Sequence, residues 1–86
     1  MAEFVFTQPF IKELAAFEKS ASARDLQSLE DAMATIAQDP NLPGRVPSFY
    51  DPSLPSYLYR SGHILIHYRT GRSGVIEFLN LFWPRI

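Results

Sequence analysis

The sequence contains no cysteine, which excludes disulfide bonds, thiol catalysis and thiolate metal sites. It has no apolar run long enough to span a bilayer and no basic leader with a cleavage site. We therefore expect a cytoplasmic protein with no membrane partner. There is also no glycine-rich phosphate loop, and no serine lies in a recognisable activating context.

Apolar residues are abundant for so short a chain. A length of 86 residues predicts a single domain, residues 1–86, and a domain of this size buries only about 60% of its unfolded surface. Hydrophobic residues make up 47% of the sequence and aromatic residues 14%, which is more than one small core readily hides. Either a partner covers the excess, or several of the phenylalanines and tyrosines are half exposed.

Charge is divided unevenly along the chain. Residues 1–39 contain three basic and seven acidic side chains, a net charge of -4, whereas residues 40–86 contain five arginines and two acidic side chains, a net charge of +3. Arginine is suited to bidentate contact with phosphate. The second half is therefore a candidate for nucleic-acid contact, and solubilising charge scattered over the surface is the alternative.

The first half predicts one strand and two helices. Phe4–Phe6 is a short apolar run typical of a strand, and Thr7 followed by Pro9 marks a helix start. Apolar residues then recur at helical spacing in two segments, and a capping-box pattern at Ser22 separates them. The second helix is expected to end at Asp39. The short connection predicts an antiparallel helical hairpin packed on a sheet.

The second half predicts a proline-rich loop followed by three strands. Five of the seven prolines lie in residues 39–56, so we expect an ordered, extended loop there without regular structure. Strands are predicted at residues 57–61, 63–70 and 75–82, joined by glycine-containing turns. The predicted fold class is α+β, with an N-terminal strand and a two-helix hairpin packed on a small, mainly antiparallel twisted sheet.

The central predicted strand alternates in polarity. Ile64, Ile66 and Tyr68 are expected to face the helices. The opposite face is expected to be polar and to carry the alternate residues, His63, Leu65, His67 and Arg69. Except for Glu77 and Asn80, the last strand is apolar on both faces, which predicts a central position in the sheet or a partner.

The two histidines do not predict a metal site. Four residues along a strand separate His63 from His67 by roughly 13 to 14 Å at about 3.4 Å per residue, too far to share an ion. We therefore expect no metal and no cofactor. The alternative to a functional role is that each histidine is a solvent-facing residue or a cross-strand partner of aromatic and acidic neighbours.

The basic half carries side chains suited to RNA cleavage. Cleavage through the 2'-hydroxyl needs no metal, because one group accepts that proton, another assists the leaving 5'-oxygen and a cation stabilises the phosphate. The candidate proton carriers are Glu77 and either His63 or His67, and the candidate phosphate clamps are Arg85 and either Arg60 or Arg69. Further RNA contacts are assigned to the remaining basic and aromatic side chains, Arg45, Arg72, Tyr68 and Trp83.

One arrangement of residues has a family resemblance. Arg60 and Gly62 precede a strand that closes at Tyr68, and an apolar last strand delivers Arg85 at its end. With the first strand and the hairpin, this order resembles the RelE/ParE-type toxins over nearly the whole chain. The resemblance implies the toxin of a type II toxin–antitoxin pair, which a cognate antitoxin neutralises in a hetero-oligomer. In RelE-like nucleases basic and aromatic side chains of the sheet act on mRNA, which implies such roles for Arg60, Arg69 and Arg85.

The preferred activity is metal-independent mRNA cleavage on the ribosome, which inhibits translation. Leu65 stands where many members of the family carry an arginine, and the sequence closes at Ile86 without a His-Tyr tail. The pI near 6.0 is low for a protein that must neutralise ribosomal RNA phosphates. Inhibition of DNA gyrase, as by ParE-like toxins, and a non-catalytic antitoxin-binding domain of the same fold are therefore the alternatives.

Overall fold

The fold is α+β, as the sequence predicts, with two helices and one five-stranded sheet. The computed structural model of the chain describes residues 3–48, 55–71 and 74–83. Its elements are, in chain order, β1 (Phe4–Phe6), α1 (Gln8–Ser20), α2 (Ala23–Gln38), β2 (Val46–Ser48), β3 (Ser56–Ser61), β4 (Ile64–Thr70) and β5 (Ile76–Phe82). The strand order in the sheet is β1-β5-β4-β3-β2. β1 pairs with β5 in parallel, and the other pairs are antiparallel.

Both helices begin where the sequence predicts. Thr7 is the N-cap of α1 and has extended backbone geometry, with Pro9 in the first turn, where its missing N–H leaves no helical bond unmade. Ser22 is the N-cap of α2, and its hydroxyl accepts a hydrogen bond from the backbone N–H of Asp25 at 3.1 Å. This half of the predicted capping box is confirmed. Neither helix is long and apolar enough to cross a membrane among the described residues.

The hydrophobic core lies between the helices and one face of the sheet. The helices contribute Phe10, Phe17, Leu29 and Ile36 among other residues. The sheet contributes alternate residues of β4 and β5, namely Ile64, Ile66, Tyr68, Ile76, Phe78 and Leu81. Since these side chains form one cluster with both helices, the helices pack on the same face of the sheet.

β1 is held by aromatic packing as well as by its backbone pairing. The ring of Phe6 stacks on that of Phe10 with centroids 5.2 Å apart, and both lie within 5.4 Å of the ring of Phe78. Phe4 meets Phe78 edge to face at 5.8 Å. Such pairs add to the burial of the rings themselves, so this aromatic cluster fixes a strand of only three residues against α1 and β5.

β2 corrects the prediction that residues 39–56 contain no regular structure. Val46–Ser48 pairs in antiparallel fashion with β3, with Pro47 opposite Tyr57. Proline is tolerated there because β2 is the outermost strand of the sheet, and an edge strand has one side with no ladder to complete. Pro47 therefore does not prevent strand pairing at this edge of the sheet.

β5 contains a bulge that changes which face its residues occupy. His67 is paired with Asn80 and Tyr68 with Phe78, so Leu79 is the extra residue on β5. The hydroxyl of Thr7 donates to the carbonyl oxygens of Phe78 and Leu79, at 3.0 and 3.1 Å. The strand lies between β1 and β4, which confirms the prediction of an inner position for this doubly apolar strand.

The face of the sheet turned away from the core, here called the open face, is less polar than predicted. Cross-strand pairing places Val46 beside Leu58, Leu58 beside His67, and Leu65 beside Phe82. None of the four apolar residues belongs to the core cluster. The expectation of a polar face was wrong because neighbouring strands supply apolar side chains that alternation along β4 alone does not reveal.

Tyr68 links the sheet to the end of α2. Its side chain is fully buried, and its hydroxyl donates to the carbonyl oxygen of Pro40 at 2.6 Å. Burial raises the pKa of Tyr68 to about 12, because the charged phenolate is poorly solvated there, and the positive charge of Arg45 opposes only part of that effect. The phenol is therefore neutral and remains a donor throughout the physiological range.

This raised pKa predicts a loss of stability in alkali. The unfolded chain releases the Tyr68 proton near pH 10 and the folded chain near pH 12, so the free energy of unfolding falls between these values by about 3 kcal/mol. Tyr68→Phe lacks this loss, but it is less stable at pH 7 by about 1 kcal/mol because the bond to Pro40 is absent. Urea unfolding from pH 7 to pH 12 should show the difference shrink and reverse sign. A constant difference would contradict the assignment.

Candidate functional site

His67 is buried at the centre of a hydrogen-bonded chain that crosses three strands. Its Nε2 lies 2.8 Å from the Oγ of Ser56 on β3, and its Nδ1 lies 2.9 Å from the Oδ1 of Asn80 on β5. The side chains of Ser56 and His67 belong to the buried polar residues, with His67 only 5% exposed. His67 is therefore not solvent-facing but a cross-strand partner, and its neighbours here are a serine and an asparagine rather than the aromatic and acidic residues expected.

The partners select the tautomer of the imidazole. An amide oxygen only accepts hydrogen bonds, so the Oδ1 of Asn80 requires a hydrogen on Nδ1 of His67. In the neutral ring Nε2 is then the acceptor, and the Ser56 hydroxyl donates to it. The arrangement holds one tautomer and one ring orientation.

A shallow depression of about 490 Å³ lies on the open face, above the hydrogen-bonded side chains of Ser56, His67 and Asn80. Its polar lining residues are Ser48, His67 and Asn80, and its apolar lining residues are Leu58, Leu65 and Phe82. A second open groove, of about 700 Å³, lies between the beginning of α1 and the end of β5. Phe82 and Asn80 line both.

Two of the predicted RNA-cleavage residues are paired with each other. Arg69 donates through Nε and Nη2 to one carboxylate oxygen of Glu77, at 3.2 and 2.9 Å. The two side chains are cross-strand neighbours on β4 and β5 and are about a quarter exposed. A partly exposed pair of this kind contributes at most about 1 kcal/mol to stability. The carboxylate that was assigned to proton transfer is thus held in an ion pair with Arg69.

Arg60 and His63 are exposed and lie close together in the chain at the hairpin that joins β3 to β4. Gly62 has a φ of +61° in this turn, a conformation that glycine adopts without strain. The sheet register separates them from the buried histidine, since Arg60 pairs with Leu65 and Leu58 with His67. The predicted catalytic residues therefore form no single cluster among the described residues.

Arg45 lies in the segment before β2 and holds that segment together. Its Nη1 donates to the carbonyl oxygens of Asn41 and Leu42, at 2.6 and 3.2 Å. The guanidinium also lies 5.0 Å from the ring centre of Tyr57, a favourable cation–π distance. These contacts give Arg45 a structural role beside its predicted RNA contact.

The aromatic residues assigned to RNA contact pack against the protein. Tyr68 is fully buried in the core. Trp83 is half buried and meets Phe17 of α1 edge to face at 5.2 Å. Arg72 and Arg85 lie outside the described residues. No cluster of three or more histidine and acidic side chains able to hold a metal occurs in residues 3–48, 55–71 and 74–83.

Sequence reasoning missed Ser56 and Asn80 as the partners of His67. Ser56 is next to the proline-rich segment and was the limit of the predicted loop. Asn80 reaches the face of His67 only because the bulge at Leu79 shifts the alternation of β5. The one available signal was the presence of an asparagine in an otherwise apolar strand.

The two histidines should differ sharply when truncated. His67→Ala removes two hydrogen bonds and leaves Ser56 and Asn80 without these partners, so the free energy of unfolding should fall by about 2–3 kcal/mol. His63→Ala is the matched control and should change it by no more than about 0.5 kcal/mol, because His63 is exposed. Equal small effects in urea unfolding would show that His67 is not held as described.

Comparison of the chain with protein-family models, curated proteins and solved structures gives no match.

Proposed function

We propose that the chain is the toxin component of a type II toxin–antitoxin pair, and that its open face binds the cognate antitoxin. The proposal rests on the family resemblance of the sequence together with one structural observation. The open face of a five-stranded sheet presents apolar side chains outside the core cluster.

The apolar side chains of the open face are suited to a protein contact. Val46 is 56% exposed and Phe82 49% exposed, and Leu58 and Leu65 between them are half buried. Adjacent strands bring the four into one surface. Contiguous exposed apolar surface of this type is characteristic of an interaction site.

Basic side chains border this surface. Arg60 is exposed on β3, and Arg69 lies on β4 beside Glu77. A partner segment with apolar residues on one side and acidic residues on the other would cover the apolar side chains of the open face and pair its carboxylates with the arginines. Such a segment gains most of its structure on binding when it has too few apolar residues to form a core of its own.

The edges of the sheet differ in how readily they accept a further strand. β2 contains Pro47, which cannot donate a backbone hydrogen bond. β1 pairs only with residues 76–78 of β5, so the part of β5 beyond Phe78 adjoins the groove beside α1 instead. Phe82 lies at that end of β5 and lines both depressions, and we assign the partner contact to the surface around it.

Of the toxic activities, inhibition of DNA gyrase fits the geometry better than mRNA cleavage. RNA cleavage needs accessible groups for proton transfer. His67 is only 5% exposed, which limits access for a polymeric RNA, and the Glu77 carboxylate is ion-paired with Arg69. A gyrase-directed toxin of the ParE type needs a protein contact surface, and the open face supplies one.

Ribosome-dependent mRNA cleavage is the second candidate. Its support is the exposure of Arg60 and His63 at one hairpin. A cation and a titratable imidazole at that place are a possible phosphate clamp and proton carrier. Arg85, which lies outside the described residues, remains part of this hypothesis.

Substitutions on the open face should weaken binding of the antitoxin. Phe82→Lys and Val46→Lys place a charge in the proposed apolar contact and should each raise the Kd at least about tenfold. Calorimetric titration with the protein of the adjacent reading frame is the measurement. Ala34→Lys adds the same charge at an exposed position of α2 and is the matched control.

The control should bind as the unaltered chain does. All three variants should retain its circular dichroism spectrum, because the altered side chains are exposed. Unchanged affinity in both open-face variants would remove this surface from the proposal. If the adjacent reading frame encodes no binding partner at all, the assignment to a toxin–antitoxin pair fails.

The target of the isolated chain is distinguished by brief induction in growing cells. The gyrase assignment predicts DNA breaks and a DNA-damage response while translation continues. Rapid loss of intact mRNA with arrest of protein synthesis would contradict it and favour the second candidate. In that case Arg60→Ala and His63→Ala should lower toxicity, with stability changed by about 0.5 kcal/mol or less because both residues are exposed.

A further inference from the structure

We propose that Ser56 is an activated nucleophile, with His67 as its general base and Asn80 as the positioning residue of that base. The site would transfer acyl groups from small carboxylic esters to the Ser56 hydroxyl. This activity goes beyond toxin or antitoxin binding and does not depend on either.

The order of hydrogen bonds has the polarity that a serine nucleophile needs. The Ser56 hydroxyl donates to Nε2 of His67 over 2.8 Å, and Nδ1 of the same ring donates to Oδ1 of Asn80 over 2.9 Å. Nucleophile, base and orienting group are therefore joined in sequence, which is the recognisable arrangement of nucleophilic catalysis on unrelated folds. An amide oxygen is sufficient to hold the required tautomer.

Three adjacent strands hold these groups, so the arrangement is preorganised. Ser56, His67 and Asn80 lie on β3, β4 and β5. Asn80 faces His67 because the bulge at Leu79 shifts the alternation of β5 by one residue. Side chains on paired strands keep their relative positions better than side chains on loops.

The depression on the open face, next to the hydrogen-bonded side chains of Ser56, His67 and Asn80, limits the substrate class. Its volume of about 490 Å³ suits a small molecule, and its apolar walls are Leu58, Leu65 and Phe82. His67 and Asn80 form part of its lining. Ser56 is 4% exposed and is not one of the lining residues, but it adjoins the depression through its hydrogen bond to His67 and its pairing with Ser48. A short apolar acyl or aryl ester fits these dimensions, whereas a polymeric substrate does not.

The proposed reaction is a substitution at the ester carbonyl. Ser56 Oγ forms a bond to the carbonyl carbon while its proton passes to Nε2 of His67. The tetrahedral intermediate collapses with cleavage of the bond to the leaving alcohol oxygen, which takes that proton. Water then attacks the acyl-serine, gives its proton to Nε2 and releases the carboxylic acid, with Ser56 reprotonated.

The test uses diisopropyl fluorophosphate as a compact probe of the full chain. Reaction forms a bond from Ser56 Oγ to phosphorus, breaks the phosphorus–fluorine bond and transfers the serine proton to His67. Intact-mass spectrometry and peptide mapping should find one label, on Ser56. Ser56→Ala should remove the label.

Two further variants distinguish activation from simple packing. Asn80→Ala should slow labelling at least about 10-fold, because the tautomer is no longer held, whereas Asn80→Asp retains an acceptor for Nδ1 and should label at a rate close to that of the unaltered chain. Ser61→Ala, on the same strand as Ser56, is the matched control and should label normally. Thermal unfolding of each variant confirms that the labelled protein is folded.

Two results would overturn the proposal. One is a folded, unaltered chain in which Ser56 reacts no faster than the other serines. The other is labelling of Ser56 at the same rate in folded Asn80→Ala, which would make the three residues a packing network only. Since labelling is measured on the isolated chain in vitro, it is independent of whether an antitoxin binds or growth is arrested.

Discussion

The structure depends on the hydrogen bonds made by two consecutive polar side chains of the central strand, β4. His67 and Tyr68 are both buried, and they point to opposite faces of the sheet. A buried polar group without a partner costs about 1–3 kcal/mol. The Tyr68 hydroxyl is satisfied by the carbonyl oxygen of Pro40, and the His67 ring by Ser56 and Asn80. These contacts fix the end of α2 on one face and the alignment of three strands on the other.

The bulge at Leu79 connects the two sides of this arrangement. It brings Asn80 to the open face while Phe78 and Leu81 remain in the core. At the bulge, the hydroxyl of Thr7 donates to the carbonyl oxygens of Phe78 and Leu79, and Thr7 is also the N-cap of α1. The same bulge in β5 thus positions the start of α1 and the hydrogen-bonded side chains of Ser56, His67 and Asn80.

Local sequence patterns were sufficient for most of the elements but not for the site. Apolar spacing and capping residues predicted both helices, and alternation along β4 identified its core residues correctly. Each of these predictions depends only on residues within a few positions of one another in the sequence. The role of His67 depends instead on residues 11 and 13 positions away in the sequence. Their approach is set by strand register and by a bulge, neither of which has a local signature in this sequence.

The same cross-strand effects account for the open face. Val46, Leu58 and Phe82 come from three different strands, and only their pairing makes them one apolar surface. This apolar surface is the basis of the proposed protein contact. The excess of aromatic and apolar residues in the sequence is consistent with a surface that a partner covers.

The state of His67 is the central claim, because the open-face interpretation and the proposed nucleophile both depend on it. Long-range proton–nitrogen correlation by NMR at neutral pH tests it directly. A hydrogen on Nδ1 that is protected from rapid exchange is the predicted result. A ring that carries its only hydrogen on Nε2, or whose Nδ1 hydrogen exchanges as fast as that of an exposed imidazole, would contradict the account.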